Sequence, residues 1–309
     1  MQTSSNSWRA YGTGVWGVSR VRAALKWALL LMCCGFVLAT ECRAQTAAQT
    51  KPKLPPGVDP GGVAIGLLTT GIDYTRPEVA KCVARDGEGE LIGWDVVDGD
   101  RMPYRRVAAA AGAVVDDALF ALVPCGRVRV VPVRVNPADG VSLGKALAFL
   151  AQTPARVVVL PVGSQPPDWT AFQLALEKFP ELLVIVAAGD EARDLDKLVP
   201  RFGGLSRGNT AVVSAAVPDN GKLVMRGATG ATSVDHVVDI VAGGGGAGAG
   251  AGRSPTSDAA VLSAVTLVCS SFVKQVQPKR GVDLWGLLAA VTLPDDRLPD
   301  HVLLVPKCQ

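Results

Sequence analysis

Short apolar runs alternate with helical patterns over most of the chain. The first run, residues 63–68, has no charged side chain, which is typical of a strand buried on both faces of a parallel sheet. Further strands are predicted at residues 91–97, 128–135, 156–162, 182–188, 211–216, 237–240 and 301–305. Helical patterns occupy residues 77–85, 107–122, 143–151, 169–179, 257–273 and 282–291. This alternation predicts an α/β domain, with a mostly parallel sheet between two layers of helices.

Two segments lack these patterns. Residues 45–61 contain four prolines, which predicts a linker into the first strand. Residues 243–252 contain only Gly and Ala, which cannot pack a core and predict a mobile loop. We therefore assign the domain to residues 62–293 and a tail to residues 294–309.

The first 44 residues have the layout of a secretory signal peptide. A basic stretch at residues 20–26 precedes a short apolar run at 27–39, and residues 42–44 fit a small-x-small cleavage site. We expect a secreted or periplasmic protein with no membrane association after cleavage; an uncleaved anchor is the alternative. The net charge of +3 comes from this segment, because it holds five of the 31 basic residues and one of the 28 acidic residues. The rest is close to neutral, so no nucleic-acid partner is expected.

Four cysteines remain after the predicted signal: Cys82, Cys125, Cys269 and Cys308. An even number in an exported protein predicts two disulfides. Three pairings are possible, and we favour Cys82–Cys125 together with Cys269–Cys308. No cysteine or histidine spacing indicates a zinc site.

The first strand and its turn resemble the opening motif of the subtilisin-like serine proteases. In that family the strand runs into Asp-Thr-Gly-Ile-Asp, whereas residues 69–73 read Thr-Thr-Gly-Ile-Asp. Thr69 thus stands at the position of the catalytic aspartate. Residues 93–100, Gly-Trp-Asp-Val-Val-Asp-Gly-Asp, resemble the second strand of the family and its acidic turn.

Two further motifs resemble the family but lack its catalytic side chains. Residues 105–112 take the place of Gly-His-Gly-Thr-His-Val-Ala-Gly, so Arg106 stands where the catalytic histidine is expected. A guanidinium stays protonated and cannot act as a general base. Residues 185–191 resemble the Ala-Ala-Gly-Asn motif of the family. Asp190 stands at the position of the asparagine that binds the oxyanion. An ionised carboxylate has no proton to donate to an oxyanion.

The nucleophile motif is retained. Residues 255–260 read Pro-Thr-Ser-Asp-Ala-Ala and resemble Gly-Thr-Ser-Met-Ala-Ala, which makes Ser257 the counterpart of the nucleophile. With strands at 131–135 and 157–164, these motifs follow the order of the family along residues 60–293. The resemblance implies a subtilisin-like fold, and the replacements imply that ordinary catalysis is lost.

These residues favour an exported pseudo-protease that binds a peptide or protein without hydrolysis, the peptide being added to a strand edge. One alternative is an active serine endopeptidase with displaced partners of Ser257. Its base would be His236, or an acid pair as in the related sedolisins, although Asp116 and Asp117 lie about three turns beyond Arg106. Another alternative is a scaffold retained for assembly with a partner.

Calcium is the one candidate cofactor. Asp95, Asp98 and Asp100 have a spacing that suits oxygen ligands of a hard cation. The alternative interpretation is a solvated acidic turn.

Overall fold

The computed structural model describes residues 51–105, 118–161, 169–189, 208–219, 222–226, 240–243, 254–270, 280–290, 292–294 and 302–304. Their strands form one sheet of ten strands in the order β2-β3-β1-β4-β5-β6-β8-β10-β9, with β7 paired to β6 outside this path. The strands are β1 (Val63–Thr69), β2 (Trp94–Asp95), β3 (Val128–Arg134), β4 (Val157–Leu160), β5 (Leu183–Ala187), β6 (Thr210–Asp219), β7 (Lys222–Arg226), β8 (Ile240–Gly243), β9 (Thr292–Pro294) and β10 (Val302–Leu304). All pairs are parallel except β6–β7 and β9–β10.

Helices cover both faces of this sheet. They are α1 (Pro77–Ala80), α2 (Gly140–Leu150), α3 (Thr170–Lys178), α4 (Pro255–Cys269) and α5 (Gly281–Ala290), with a short 3-10 turn at Phe120–Leu122. One buried cluster joins α1, α4 and α5 to one face, and a second joins α2 and α3 to the other. The predicted three-layer α/β architecture is therefore confirmed.

Strand β1 lies near the middle of the sheet, between β3 and β4. Its side chains alternate between the two cores, with Ile65 and Leu67 in one and Ala64 and Leu68 in the other. A Cβ at Gly66 would lie 2.8 Å from a methyl carbon of Leu150, so a glycine here allows α2 to pack closely. The apolar run predicted this buried strand correctly.

Helix α4 is the most buried helix that the structure describes. Twelve of its fifteen residues are buried, and many of them are Ala, Ser or Thr. A helix that is apolar or small on every side can pack inside a protein rather than on its surface. It contacts β1, β3, β4, β5, β6 and β8, so it packs across the sheet.

Several boundaries differ from the sequence pattern. Helix α1 spans only four residues and β2 only two, both shorter than predicted. Helix α2 begins at Gly140, before the predicted start, because the Asp139 side chain caps it by accepting from the Val141 amide at 2.9 Å. The β6–β7 hairpin and strand β9 were not predicted. Of the helix predicted at 107–122, residues 107–117 lie outside the described residues, and its end is the 3-10 turn at Phe120–Leu122. Of the Gly/Ala segment predicted at 243–252, residues 244–252 also lie outside them.

A disulfide joins Cys82 and Cys125, with their Cα atoms 5.0 Å apart, which confirms the first predicted pair. It links the chain after α1 to the turn before β3. Cys269 is also disulfide-bonded. Cys308 lies outside the described residues, so the Cys269–Cys308 pair stays a prediction.

The predicted signal peptide also lies outside the described residues. Within the described part of the chain, no helix is long and apolar enough to cross a membrane.

Candidate functional site

The carboxyl end of β1 carries the first candidate position. Thr69 is fully buried, and its hydroxyl accepts a hydrogen bond from the Gly71 amide at 3.0 Å. Its carbonyl accepts from the Val135 amide at 2.8 Å, which ties the strand end to the chain after β3. A threonine hydroxyl is uncharged at any ordinary pH, so it cannot stabilise a protonated base as a carboxylate would. Thr69 therefore shapes the turn without supplying the aspartate's charge.

The chain that leads to Arg106 lies beside this turn. The Ile72 amide donates to the Pro103 carbonyl, and the Arg105 amide donates to the Ile72 carbonyl, both at 3.0 Å. The Arg105 guanidinium donates to the Thr70 hydroxyl at 2.9 Å. Arg106 itself lies outside the described residues, as does Asp190, which follows Gly189 beyond β5.

Ser257 is the third residue of α4 and is 1% exposed. Its hydroxyl donates a hydrogen bond to the carbonyl of Pro161, the residue that follows β4. Its amide donates to the Ser254 hydroxyl at 3.1 Å, because Ser254 caps the helix. Both donors of Ser257 are thus used within the chain.

These bonds limit what Ser257 can do chemically. A serine attacks a carbonyl only when a base takes its proton, and a peptide carbonyl such as that of Pro161 is not such a base. The amide at this helix start would suit a developing oxyanion only if it were free. In this arrangement Ser257 fastens the start of α4 to the end of β4.

The fold brings the retained serine and Thr69 to the same sheet edge. Strands β1 and β4 are parallel neighbours, and Thr69 and Pro161 follow at their carboxyl ends. Ser257 is bonded to Pro161, so all three residues belong to this edge. The carboxyl edge is where open α/β sheets bind their ligands. The structure thus brings Thr69 and Ser257 to one edge of the sheet, and the roles assigned to them stay predictions.

The acidic turn after β2 faces cationic side chains of the same chain. We call Asp95, Asp98 and Asp100 the acidic cluster. The Lys51 ammonium lies 2.5 Å from Asp95 Oδ2 and 2.9 Å from oxygens of both Asp98 and Asp100. The Arg134 guanidinium lies 2.7 Å from Asp95 and from Asp98. The Asp95 side chain has no exposed surface, so it is paired with two cations where it is fully buried.

The pKa shifts fit this pairing. Desolvation disfavours the charged form of Lys51, but hydrogen bonds to the acidic cluster outweigh it and raise its pKa above the ordinary value. The hydrogen bond from Lys51 lowers the pKa of Asp98; desolvation opposes this effect, and Arg134 adds to it. Among the described residues, no group of three or more His, Cys, Asp or Glu is arranged to hold a metal ion. The calcium site stays a prediction, and Lys51 Nζ lies between its proposed ligands.

Lys51 begins an extended segment that is attached to the domain. The Tyr74 hydroxyl donates to the Pro52 carbonyl at 2.8 Å. Asp59 forms an ion pair with Arg129 at 2.6 Å. Residues 51–61, predicted as part of a linker, are thus bonded to the domain along their length. Sequence reasoning missed Lys51, because 44 positions separate it from Asp95 and no local pattern connects them.

Ser254 and Pro161 were also missed as site residues. A serine directly before a proline at a helix start is a recognisable N-cap signal, so Ser254 could have been found. The partner carbonyl of Pro161 has no such signal, since any residue carries one.

No protein-family model and no curated protein matches this sequence. Solved structures do match. A cold-adapted subtilisin-like serine proteinase is 16% identical with a TM-score of 0.53, over 83% of this chain and 95% of its own. A protease from Pseudoalteromonas arctica is 16% identical with a TM-score of 0.56, over 81% of this chain and 87% of its own. The nisin leader peptidase from Lactococcus lactis is 13% identical with a TM-score of 0.50, over 81% of this chain and 86% of its own. The chain therefore has the fold of the subtilisin-like serine proteases.

Proposed function

We propose that this chain is an exported subtilisin-fold pseudo-protease that binds a peptide or protein without hydrolysing it. One observation carries the proposal. The hydroxyl of Ser257 is buried and donates to a backbone carbonyl, and its amide is bonded to the cap of its own helix. The only catalytic residue type retained from the family is thus engaged in holding the fold together.

The replaced residues support the same conclusion. Serine proteolysis needs a nucleophile, a base, a group that orients the base, and an oxyanion donor. Arg106 stands at the position of the base, Thr69 at that of the orienting group and Asp190 at that of the oxyanion donor, and none of them can perform its role. Loss of a single oxyanion donor costs about 10²–10³ in rate, and a site without its triad retains only about 10³–10⁴ over the reaction in water. Together these losses leave no useful peptidase.

Binding is supported by the fold and by its relatives in structure. Strands β1, β4 and β5 are parallel neighbours, so their carboxyl ends meet at the edge where open α/β sheets bind ligands, and an extended peptide can add to a strand there. Two similar structures are named for peptide processing, a lanthipeptide protease and the nisin leader peptidase. Export is supported by the predicted signal and by the Cys82–Cys125 disulfide, since such bonds persist in oxidising compartments.

A peptide mixture tests both halves of the proposal. The protein lacking residues 1–44 is immobilised and incubated with random hexapeptides at about pH 7 and about pH 4, the lower value covering a sedolisin-like acid mechanism. Mass spectrometry then identifies retained peptides and any fragments. We expect retained peptides to be intact at both pH values. Ser257→Ala serves as the matched control for cleavage.

The other outcomes favour the alternatives. Fragments that form with the wild type and disappear with Ser257→Ala would show an active endopeptidase with a displaced base. If the protein neither cleaves nor retains any peptide, peptide binding would be contradicted. Assembly with a folded partner would then be the remaining alternative.

A further inference from the structure

Arg105 carries a positive charge at the sheet edge described above. Its backbone is held beside the end of β1 by the hydrogen bond from its own amide to the Ile72 carbonyl. Its guanidinium reaches the Thr70 hydroxyl, one position after Thr69. The side chain is exposed, so a ligand at this edge can reach it.

The neighbouring turn, which contains Gly71, lies in close contact with Arg105. Gly71 has a φ of 124°, which other residues rarely adopt. A Cβ on Gly71 would lie 2.4 Å from Arg105 Cβ, far inside a normal contact. The turn and Arg105 therefore fit together only when residue 71 is glycine. The backbone hydrogen bond to Ile72 holds Arg105 in this position.

Arg105 differs from Arg129 and Arg134 of strand β3 in what it contacts. Arg129 and Arg134 form ion pairs with Asp59 and Asp95. Arg105 donates from Nη1 to a neutral hydroxyl, and within the described part of the chain no carboxylate lies within ion-pair distance of it. Among the described residues, its Nε and Nη2 groups donate to no acceptor. These two atoms form one edge of the fork that binds a carboxylate with two parallel hydrogen bonds.

We infer that Arg105 binds a carboxylate of the peptide, which makes acid-bearing peptides the preferred ligands of this edge. The inference rests on the proposed binding function. The Thr70 hydroxyl holds one side of the guanidinium and leaves the Nε–Nη2 edge for the ligand. The carboxylate belongs either to an Asp or Glu side chain or to the peptide C-terminus, which present the same two oxygens.

The random hexapeptide mixture tests this inference in two forms, with free and with amidated C-termini. Immobilised wild type is compared with Arg105→Gln, Arg105→Lys and Arg127→Gln. Arg127 is an exposed arginine next to the amino end of β3, so its substitution removes the same charge at the opposite sheet edge. Equal thermal unfolding midpoints confirm that the variants are folded.

We expect the wild type to retain acid-bearing peptides about ten-fold more than Arg105→Gln does, as for the loss of one charge-assisted pair. Arg105→Lys should also retain less, because an ammonium cannot form the two parallel bonds. Arg127→Gln should match the wild type. Retention that survives amidation identifies an acidic side chain as the ligand group, and retention lost on amidation identifies the C-terminus.

Two results would overturn the inference. One is an acid preference that Arg105→Gln leaves unchanged, and the other is a preference that Arg127→Gln weakens equally, which would show a net-charge effect. Peptides retained with no preference for acidic side chains and with no loss on amidation would contradict this inference alone. No retention by the wild type would contradict the proposed binding function and this inference with it.

Discussion

Ser257 and the acidic cluster are two places where a resemblance implies chemistry and the chain itself supplies the partner. At Ser257 the partners are a backbone carbonyl and a serine hydroxyl, both neutral. At the acidic cluster the partners are Lys51 and Arg134, both charged. The comparison teaches that a retained residue type does not indicate a retained role, because the partners decide what its polar atoms do.

The two places differ in energy. A neutral hydrogen bond contributes about 0.5–1.5 kcal/mol to folding. A buried charge whose partner is removed costs about 3–5 kcal/mol, since it stays desolvated without compensation. Substitutions at the two places should therefore separate clearly in size.

The largest effect is expected for Asp95→Asn. The Asp95 carboxylate accepts from the Val97 and Asp98 amides as well as from Lys51 and Arg134. An amide nitrogen would face two cations, so we expect a loss of about 3 kcal/mol in the free energy of unfolding. Urea denaturation measures it. Asp98→Asn is the matched control; the Asp98 side chain is 45% exposed, so its loss should stay below about 1 kcal/mol. Equal losses for the two variants would contradict the comparison.

A smaller effect is expected at the helix start. Ser257→Ala leaves the Pro161 carbonyl without its partner and should cost about 1 kcal/mol. Ser254→Ala removes the cap and should cost a similar amount, about 1 kcal/mol, whereas Ser254→Asp should retain most of the stability. Thermal or urea unfolding checks all three. A Ser257→Ala variant that is more stable than the wild type would contradict a structural role for the serine. Active-site residues commonly lower the stability of the folded state, so replacing them often raises it.

The pH dependence of stability sharpens the comparison further. The folded state lowers the pKa of Asp98, so Asp98 contributes stability above its unfolded pKa, and that contribution is lost as the pH falls through the folded pKa. Wild-type stability should therefore fall between about pH 5 and about pH 2. Lys51→Met removes the hydrogen bond that is the main cause of the lowered pKa of Asp98. The stability of this variant should therefore fall less steeply as the pH is lowered. Urea midpoints across the range measure the slope; identical slopes would argue against the Lys51 contact.

The smallest effect is expected from calcium. The Lys51 ammonium lies between the oxygens that would bind the ion. Millimolar calcium should shift the thermal midpoint of the wild type by less than about 1 °C, because a ligand stabilises a protein only by binding its folded state. A rise of several degrees, reversed by a chelator, would instead support the predicted calcium site.

The fold could be predicted from the sequence because its signals are local. The apolar run of β1 and the small residues of α4 are buried as their patterns indicate. Element ends were less accurate, as at α2, where the cap of Asp139 sets the start. The β6–β7 hairpin was missed although the sequence between its strands is Asn-Gly, a recognised hairpin signal.

The site could be predicted only in part. The motif order identified Thr69 and Ser257 as candidates, and the structure brings them to one sheet edge because parallel strands have their carboxyl ends together. The pairing of Lys51 with Asp95 joins residues far apart in sequence, and the Pro161 carbonyl that holds Ser257 is a group that every residue has. Tertiary contacts of this kind leave no pattern in the sequence.

The central claim is that Ser257 is not an activated nucleophile. A fluorophosphonate probe tests it directly, because the reagent labels serines whose proton an adjacent base removes. We expect no labelling of the protein lacking residues 1–44 under conditions that label an active serine protease fully, and no difference between wild type and Ser257→Ala. Labelling of the wild type that is lost in Ser257→Ala would contradict the claim and show that a base, with His236 as the first candidate, reaches this serine.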